Sequence, residues 1–262
     1  MPVIKPNSSL FEDLERLKKN ELPFEPKKEL VYPRANRDFR CCAQGYYPKG
    51  YPEGAVISSS RTDGSETAKQ FFKHQNHIIR INNWVIDKSG EVFQPTELNF
   101  WGNHLPPCYH INFGEDFDDR VMGIVLLGGE GPYKKLSKRC RKDSKDFYTI
   151  NRCHDNLTPG YYRSYTDEQL DSLFTLLLWL HENNPRVFKI ANIFGKDEIA
   201  GPRQVGRWHD KSPGCALRGS TSQFRMALRR TVDQRRKNLL QPQKRERRYT
   251  DPLPEIKAVF ES

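Results

Sequence analysis

The run Val121-Met122-Gly123-Ile124-Val125-Leu126-Leu127, closed by Gly128-Gly129, restricts the fold of this chain more than any other stretch. Seven consecutive residues without a polar side chain suit a strand buried on both faces. Such a strand needs a covering layer on each side. Thr166-Asp167-Glu168-Gln169 is a capping box, and Leu170, Leu173, Phe174, Leu177 and Leu180 recur at helical spacing until Pro185, which predicts one covering helix over residues 166–183. Residues 65–74, with Ala68, Phe71 and Phe72 on one face, predict another. Further strands are expected at residues 55–60, 78–86, 91–94 and 188–194, with Asp87-Lys88-Ser89-Gly90 as the turn into residues 91–94. Strands alternating with helices imply an α/β fold, a mixed central β-sheet flanked by helices.

The outlying segments have a different character. Residues 1–20 contain a helix candidate, with Ser9 and Glu12 as a capping box. Residues 21–54, rich in Pro, Tyr and Lys, suit an extended arm wrapping a core. The chain is therefore divided into an N-terminal helix and arm (1–44), a domain (45–235) with a basic, irregular insertion at about 130–163, and a basic tail (236–262). Residues 195–220 suggest a loop rich in Gly and Pro, and residues 222–238 a basic helix. The 262 residues carry a net charge of +10, and between Leu217 and Arg248 eleven basic residues face two acids. That excess predicts weak, salt-sensitive attraction of the tail to polyanions, nucleic acid included.

No window of 18 apolar residues is present, so no membrane helix and no membrane partner are expected. The first ten residues hold no apolar run of signal-peptide length, and a cytoplasmic location is expected. The six cysteines, Cys41, Cys42, Cys108, Cys140, Cys153 and Cys215, match neither a zinc ribbon nor a compact disulfide framework, and suit reduced thiols.

Five stretches in order are similar to the zinc-dependent N-acetylmuramoyl-L-alanine amidase and peptidoglycan-recognition family. They are Gly54-Ala55-Val56-Ile57-Ser58; the stretch from Asn82-Asn83-Trp84 to Phe93-Gln94; Trp101-Gly102-Asn103-His104; Gly123-Ile124-Val125; and Phe194-Gly195-Lys196-Asp197-Glu198-Ile199-Ala200 through Gly206-Arg207-Trp208-His209-Asp210 to Pro213-Gly214. The resemblance spans roughly residues 45–230 and implies the fold of that family. The family's chemistry is metal-assisted amide hydrolysis, with a zinc ion on two histidines and an Asp or Cys. By position, the first histidine is replaced by Ser58 and the second by Lys196, while the third ligand position keeps Asp210. Val125 replaces the assisting acid, Asn82 an aromatic residue, and Trp208 a lysine. An ammonium cannot ligate zinc, and one carboxylate does not hold it. The resemblance therefore implies a degenerate member that binds without catalysis and carries no zinc. His209 beside Asp210, or His104 in the cleft-lining segment, leaves a rebuilt metal site as the alternative.

In the implied cleft, Lys196, Arg61 and Arg207 supply positive charge; Ser58, Ser60, Asn82 and Asn83 supply neutral hydrogen-bonding groups. Trp208 offers a stacking plate, with His104, His209 and Asp210 around it. Cations, hydroxyls and an aromatic plate suit an anionic ligand with a ring, such as a nucleotide. Amidases of this kind are common in phages, so the resemblance also implies a phage origin, with sequestration of a host signal nucleotide or grip on a host protein as uses. The competing readings are a cleft in which Lys196 pairs with Asp210 or Asp197 and binds nothing, retained muropeptide binding, a working peptidoglycan amidase, and a nucleic-acid or host-protein binder acting through the basic segment.

Overall fold

A computed structural model describes residues 29–41, 43–60, 62, 65–76, 83–102, 104–105, 113–114, 117–129, 131, 133, 147–150, 159–199 and 221–239. The chain divides into two compact units. One is Pro26–Leu228; the other joins Met1–Glu25 to Arg229–Ser262, and its described part is the helical stretch of residues 229–239.

The apolar run forms β7 (Val121–Leu126), buried along its whole length. It lies between β3 (Gly54–Ser59) and β4 (Asn83–Ile86), parallel to both. On the far side of β3, β10 (Ile193–Gly195) extends the parallel set. On the far side of β4, β5 (Val92–Phe93) returns antiparallel, and β1 (Ala35–Asn36) adds to it in parallel. The order β1-β5-β4-β7-β3-β10 makes a mixed six-stranded sheet, the architecture expected from the alternation of strands and helices. Two small antiparallel pairs stand apart: β2 (Gly45–Tyr46) with β6 (Phe100–Trp101), and β8 (Phe147–Ile150) with β9 (Gly160–Arg163).

Four helices are described: α1 (Ala68–Asn76), α2 (Asp167–Asn183), α3 (Lys196–Ile199) and α4 (Thr221–Leu239). The capping box at Thr166 and Gln169 opens α2 as the sequence requires. Its Leu173, Leu176, Leu177 and Leu180 are buried. Gln169 fixes α2 to the sheet, its Nε2 donating to Ile86 O at 3.1 Å and Leu127 O at 3.0 Å. Those carbonyls lie at the ends of β4 and β7; Ile86 O also accepts from Leu127 N at 3.0 Å, so Gln169 adds a second bond there. On another part of the core, Ala68, Phe71 and Phe72 of α1 pack with Val85, Phe93, Val125 and Leu127. A second cluster joins Val56 and Val121 to Leu105, Phe113, Phe117 and Ile199, with Phe194 against it.

The arm is sewn to this core by two buried amides. Asn183 exchanges hydrogen bonds with the backbone of Glu29 at 2.9 and 2.8 Å. Gln94 accepts from Tyr32 N at 2.9 Å and donates to Leu30 O at 2.8 Å. Burial against the core compensates the low intrinsic regularity of this Pro-rich stretch.

Several local expectations need correction. The first helix starts after Thr67, not at Ser65, because Thr67 and Gln70 cap each other reciprocally: Gln70 N donates to Thr67 Oγ1 at 3.3 Å and Thr67 N to Gln70 Oε1 at 2.8 Å. Residues 188–194 are not one strand. Phe188 N is committed to Asn184 O at 2.9 Å in the turn that ends α2, a 3-10 turn follows (Ile190–Asn192), and pairing begins at Ile193. The insertion is not irregular throughout, since Phe147, Tyr148, Thr149 and Ile150 pair with β9, and Tyr133 and Tyr161 exchange backbone hydrogen bonds. Aromatic and β-branched residues there favour pairing despite the basic composition around them. The expected 195–220 loop opens with α3. The N-terminal helix candidate, and residues 78–82 of the expected long strand, lie outside the described residues.

Candidate ligand-binding site at the carboxyl end of the parallel strands

Parallel strands in register place matched residues in rows across the sheet, with side chains of one row on one face. One row runs Phe93, Val85, Val125, Ser58. Its first three members lie beneath α1 in the apolar cluster. At Ser58 the row turns polar, and Ser58 is half-buried. The next strand, β10, pairs Gly195 with Ile57, so Lys196 follows at the level of Ser58 as the chain leaves the sheet into α3. Lys196 is also half-buried. Ser58, Val125 and Lys196 thus converge on one row, although 138 residues separate Ser58 from Lys196. The row stands near the carboxyl ends of four parallel strands, where open α/β sheets commonly take their ligands.

The neighbouring row, two residues toward the amino ends, is Asn83, Gly123, Val56, Phe194. Val56 and Phe194 anchor the second apolar cluster, which includes Ile199 of α3. The polar positions at Ser58 and Lys196 are therefore bounded by α1's cluster along their row and by this second cluster below it. Asn83 begins β4 two strands from β3, a lateral separation of about 10 Å.

A carboxylate holds the turn that carries Lys196. Glu198 Oε2 accepts from Gly195 N at 2.8 Å. Arg225 of α4 grips the same carboxylate with both guanidinium arms, at 2.6 and 2.9 Å, and donates to Ile193 O at 2.6 Å. Two charge-assisted hydrogen bonds in fork geometry form a strong polar link. Glu198 was visible in the motif and Arg225 in the basic segment, yet nothing in their spacing announced the pair, because they are 27 residues apart.

Ser60 has a structural duty. Its Oγ accepts from Gly128 N at 2.9 Å and lies 2.8 Å from Thr62 Oγ1, tying the end of β3 to the glycines after β7. His104 is held elsewhere. Its Nδ1 faces Gly102 O at 2.9 Å and Asp118 Oδ1 at 2.8 Å, and both partners are acceptors, so the proton sits on Nδ1. Asp118 also accepts from the His104 and Leu105 amides, at 3.2 and 3.0 Å. Asp118 lies just ahead of Val121, which matches Gly54, whereas Ser58 matches Val125. His104 is accordingly tied to the amino end of β7, away from the Ser58 row. Arg61, Asn82, Arg207, Trp208, His209 and Asp210 lie outside the described residues.

The donor set at this row does not fit zinc. Serine is a poor ligand for it, and lysine in its charged form has no lone pair to give. Among the described residues, no group of three or more His, Cys, Asp or Glu side chains is arranged to hold a metal ion. No described helix is long and apolar enough to cross a membrane.

No family model matches the sequence, and no curated protein does. Among solved structures, the chain is similar to a selenomethionine derivative of AmpD at 18% identity and TM-score 0.42, covering 67% of this chain and 88% of that one. It is similar to the endolysin N-acetylmuramoyl-L-alanine amidase LysCS from Clostridium intestinale at 15% identity and TM-score 0.36, over 59% and 78% of the two chains. Drosophila peptidoglycan recognition protein SD is similar at 16% identity and TM-score 0.33, over 71% and 85%.

Proposed function

We propose that this chain is a non-catalytic binding protein that takes an anionic small molecule, a nucleotide in the first instance, at the row formed by Ser58 and Lys196. The observation that carries the reading is the β3–β10 register, which sets Lys196 level with Ser58 at the carboxyl end of the sheet. By the sequence resemblance, these are two zinc-ligand positions, and Val125 in the same row takes the place of the assisting acid. A hydroxyl, an ammonium and an isopropyl group in those places remove the metal and the proton carrier together. They leave a cationic donor and a neutral one on a half-buried surface, which suits an oxyanion. Arg61, Arg207, Trp208, His209 and Asp210 are proposed to complete the site. A phage protein that sequesters a host signal nucleotide is a setting this chemistry suits.

Calorimetry with a panel of cyclic and linear nucleotides tests the proposal. Micromolar binding by at least one of them, lost with Lys196→Ala, supports it. If none binds below about millimolar, the anion site is abandoned; release of muropeptides from cell wall by the wild type would instead restore the amidase reading.

The exposed residues of α4 support an accessory role for the basic segment. Arg229, Arg230, Arg235 and Lys237 are all exposed, while Leu228 and Val232 are buried. Such a helix is proposed to attract polyanions without reading sequence, with a log–log salt slope of about −0.9 per phosphate neutralised on duplex DNA. Binding that is sequence-specific and survives high salt would make the segment a dedicated reader instead.

A further inference from the structure

We infer that Glu198 and Arg225 are positioning residues for Lys196, and that α4 thereby sets the geometry of the binding row; this inference rests on the reading of that row as the binding site. The turn from β10 leads directly into α3, a single turn of four residues. Its leading backbone donor, Gly195 N, is taken by the Glu198 carboxylate at 2.8 Å. A carboxylate able to reach back three residues could also point to solvent, and Arg225 prevents this. The guanidinium holds both carboxylate oxygens and, with one arm, also reaches Ile193 O on the strand just before the turn. Strand, turn and carboxylate are therefore fastened to α4 at one point.

The partners are half-buried, Arg225 at 22% and Glu198 at 18% side-chain exposure, so solvent screens the pair only in part. The Arg225 guanidinium also lies 6.0 Å from the centre of the Phe194 ring, over the residue that pairs with Val56. Phe194 and Ile199, on either side of the turn, pack in the same apolar cluster. The ion pair and this cluster thus hold the backbone on both sides of Gly195. Losing Arg225 releases the carboxylate, and losing the carboxylate frees the Gly195 amide.

Residue-resolved hydrogen exchange of the intact chain tests this without any ligand. Glu198→Ala is expected to speed exchange at Gly195 by at least about tenfold, since a hydrogen bond to a charged group is lost, while the β3 amides of Val56 and Ile57 keep wild-type rates. Glu198→Gln, which retains an acceptor oxygen, is expected to give an intermediate rate. The exchanged pair Glu198→Arg with Arg225→Glu keeps an ion pair but offers Gly195 no acceptor from position 198. It is expected to recover thermal stability and leave Gly195 fast. Unchanged exchange at Gly195 in Glu198→Ala, an equal rise throughout β3 and β7, or restored Gly195 protection in the exchanged pair would each overturn the inference. Acetylation of Lys196 by an amine-reactive ester, read by mass spectrometry, should change rate in parallel with Gly195 exchange. A wild type that binds no nucleotide defeats the proposed function, but leaves the exchange result to judge the positioning role separately.

Discussion

Ile57 and Gly195 are partners across the parallel β3–β10 pair, and this one match brings Lys196 level with Ser58. If the row binds an anion, Lys196 acts from a half-buried position, whereas Lys237 on α4 is exposed. A hydrogen bond from a buried charged donor contributes about 1.5–3 kcal/mol, and exposed charges much less. Lys196→Ala is therefore expected to weaken nucleotide binding by about tenfold or more, and Lys237→Ala by less than about threefold. Equal effects of the two substitutions in calorimetry would assign the affinity to general charge and not to the row.

Zinc content is the second expectation. With Ser58 and Lys196 at two former ligand positions, protein purified with excess zinc should hold less than about one equivalent, since such a site needs three or four ligands. Ser58→His with Lys196→His, leaving Asp210 in place, should raise zinc retention if the resemblance assigns the ligand positions correctly. Elemental analysis decides both points. Stoichiometric zinc in the wild type, lost with Asp210→Ala, would mean that His209 and Asp210 rebuild a metal site.

The elements that could be read from sequence are those whose signals are local. The β7 run, the Asp87–Gly90 turn and the Thr166 capping box each carry their own instruction, and the sheet and α2 follow them. In that turn Asp87 Oδ1 accepts from Ser89 N at 2.9 Å and Glu91 N at 3.0 Å, and Gly90 takes a φ of 83°, which its lack of a side chain permits. The meeting of Ser58 and Lys196 was legible only through the order of motifs, not through spacing. What could not be read depends on distant partners. Phe188 looks like a strand residue until Asn184 claims its amide. Arg225 looks like one more tail cation until Glu198, on another element, engages it. The bond from the Gly128 amide to Ser60 likewise joins two elements that no spacing in the sequence brings together.

Gln169 should matter more to stability than the residue it caps with. Thr166→Ala removes a helix cap and is expected to cost about 1 kcal/mol. Gln169 shares that cap and also bonds the buried carbonyls of Ile86 and Leu127, and it is 1% exposed. Gln169→Ala leaves Leu127 O without that donor, at about 1–3 kcal/mol, and takes one of two bonds from Ile86 O, which keeps Leu127 N. Urea denaturation should rank Gln169→Ala as clearly less stable than Thr166→Ala. The reverse order would mean that α2 is held by its cap and leucines alone.

Alkaline pH should destabilise the fold through Tyr47 and Tyr51. Burial pushes both hydroxyls well above the ordinary tyrosine range; at Tyr47 Asp118 and Asp119 push the same way, while at Tyr51 the Asn183 hydrogen bond partly offsets the rise. In the unfolded chain both ionise near pH 10. Above that pH the unfolded state has released protons that the folded state still holds, so stability is full below about pH 10 and falls as pH rises toward the raised folded values. Each tyrosine adds a slope of up to about 1.4 kcal/mol per pH unit in that window. Tyr51 also donates to Leu180 O at 3.1 Å, so Tyr51→Phe should cost stability at neutral pH as well as flatten the alkaline decline. Among the described residues Tyr47 Oη has no acceptor, so Tyr47→Phe should flatten the decline with a smaller neutral cost. Denaturation midpoints followed from pH 8 to 11 decide the matter: if both variants lose stability as steeply as the wild type, the alkaline transition belongs to other groups, the lysines first among them.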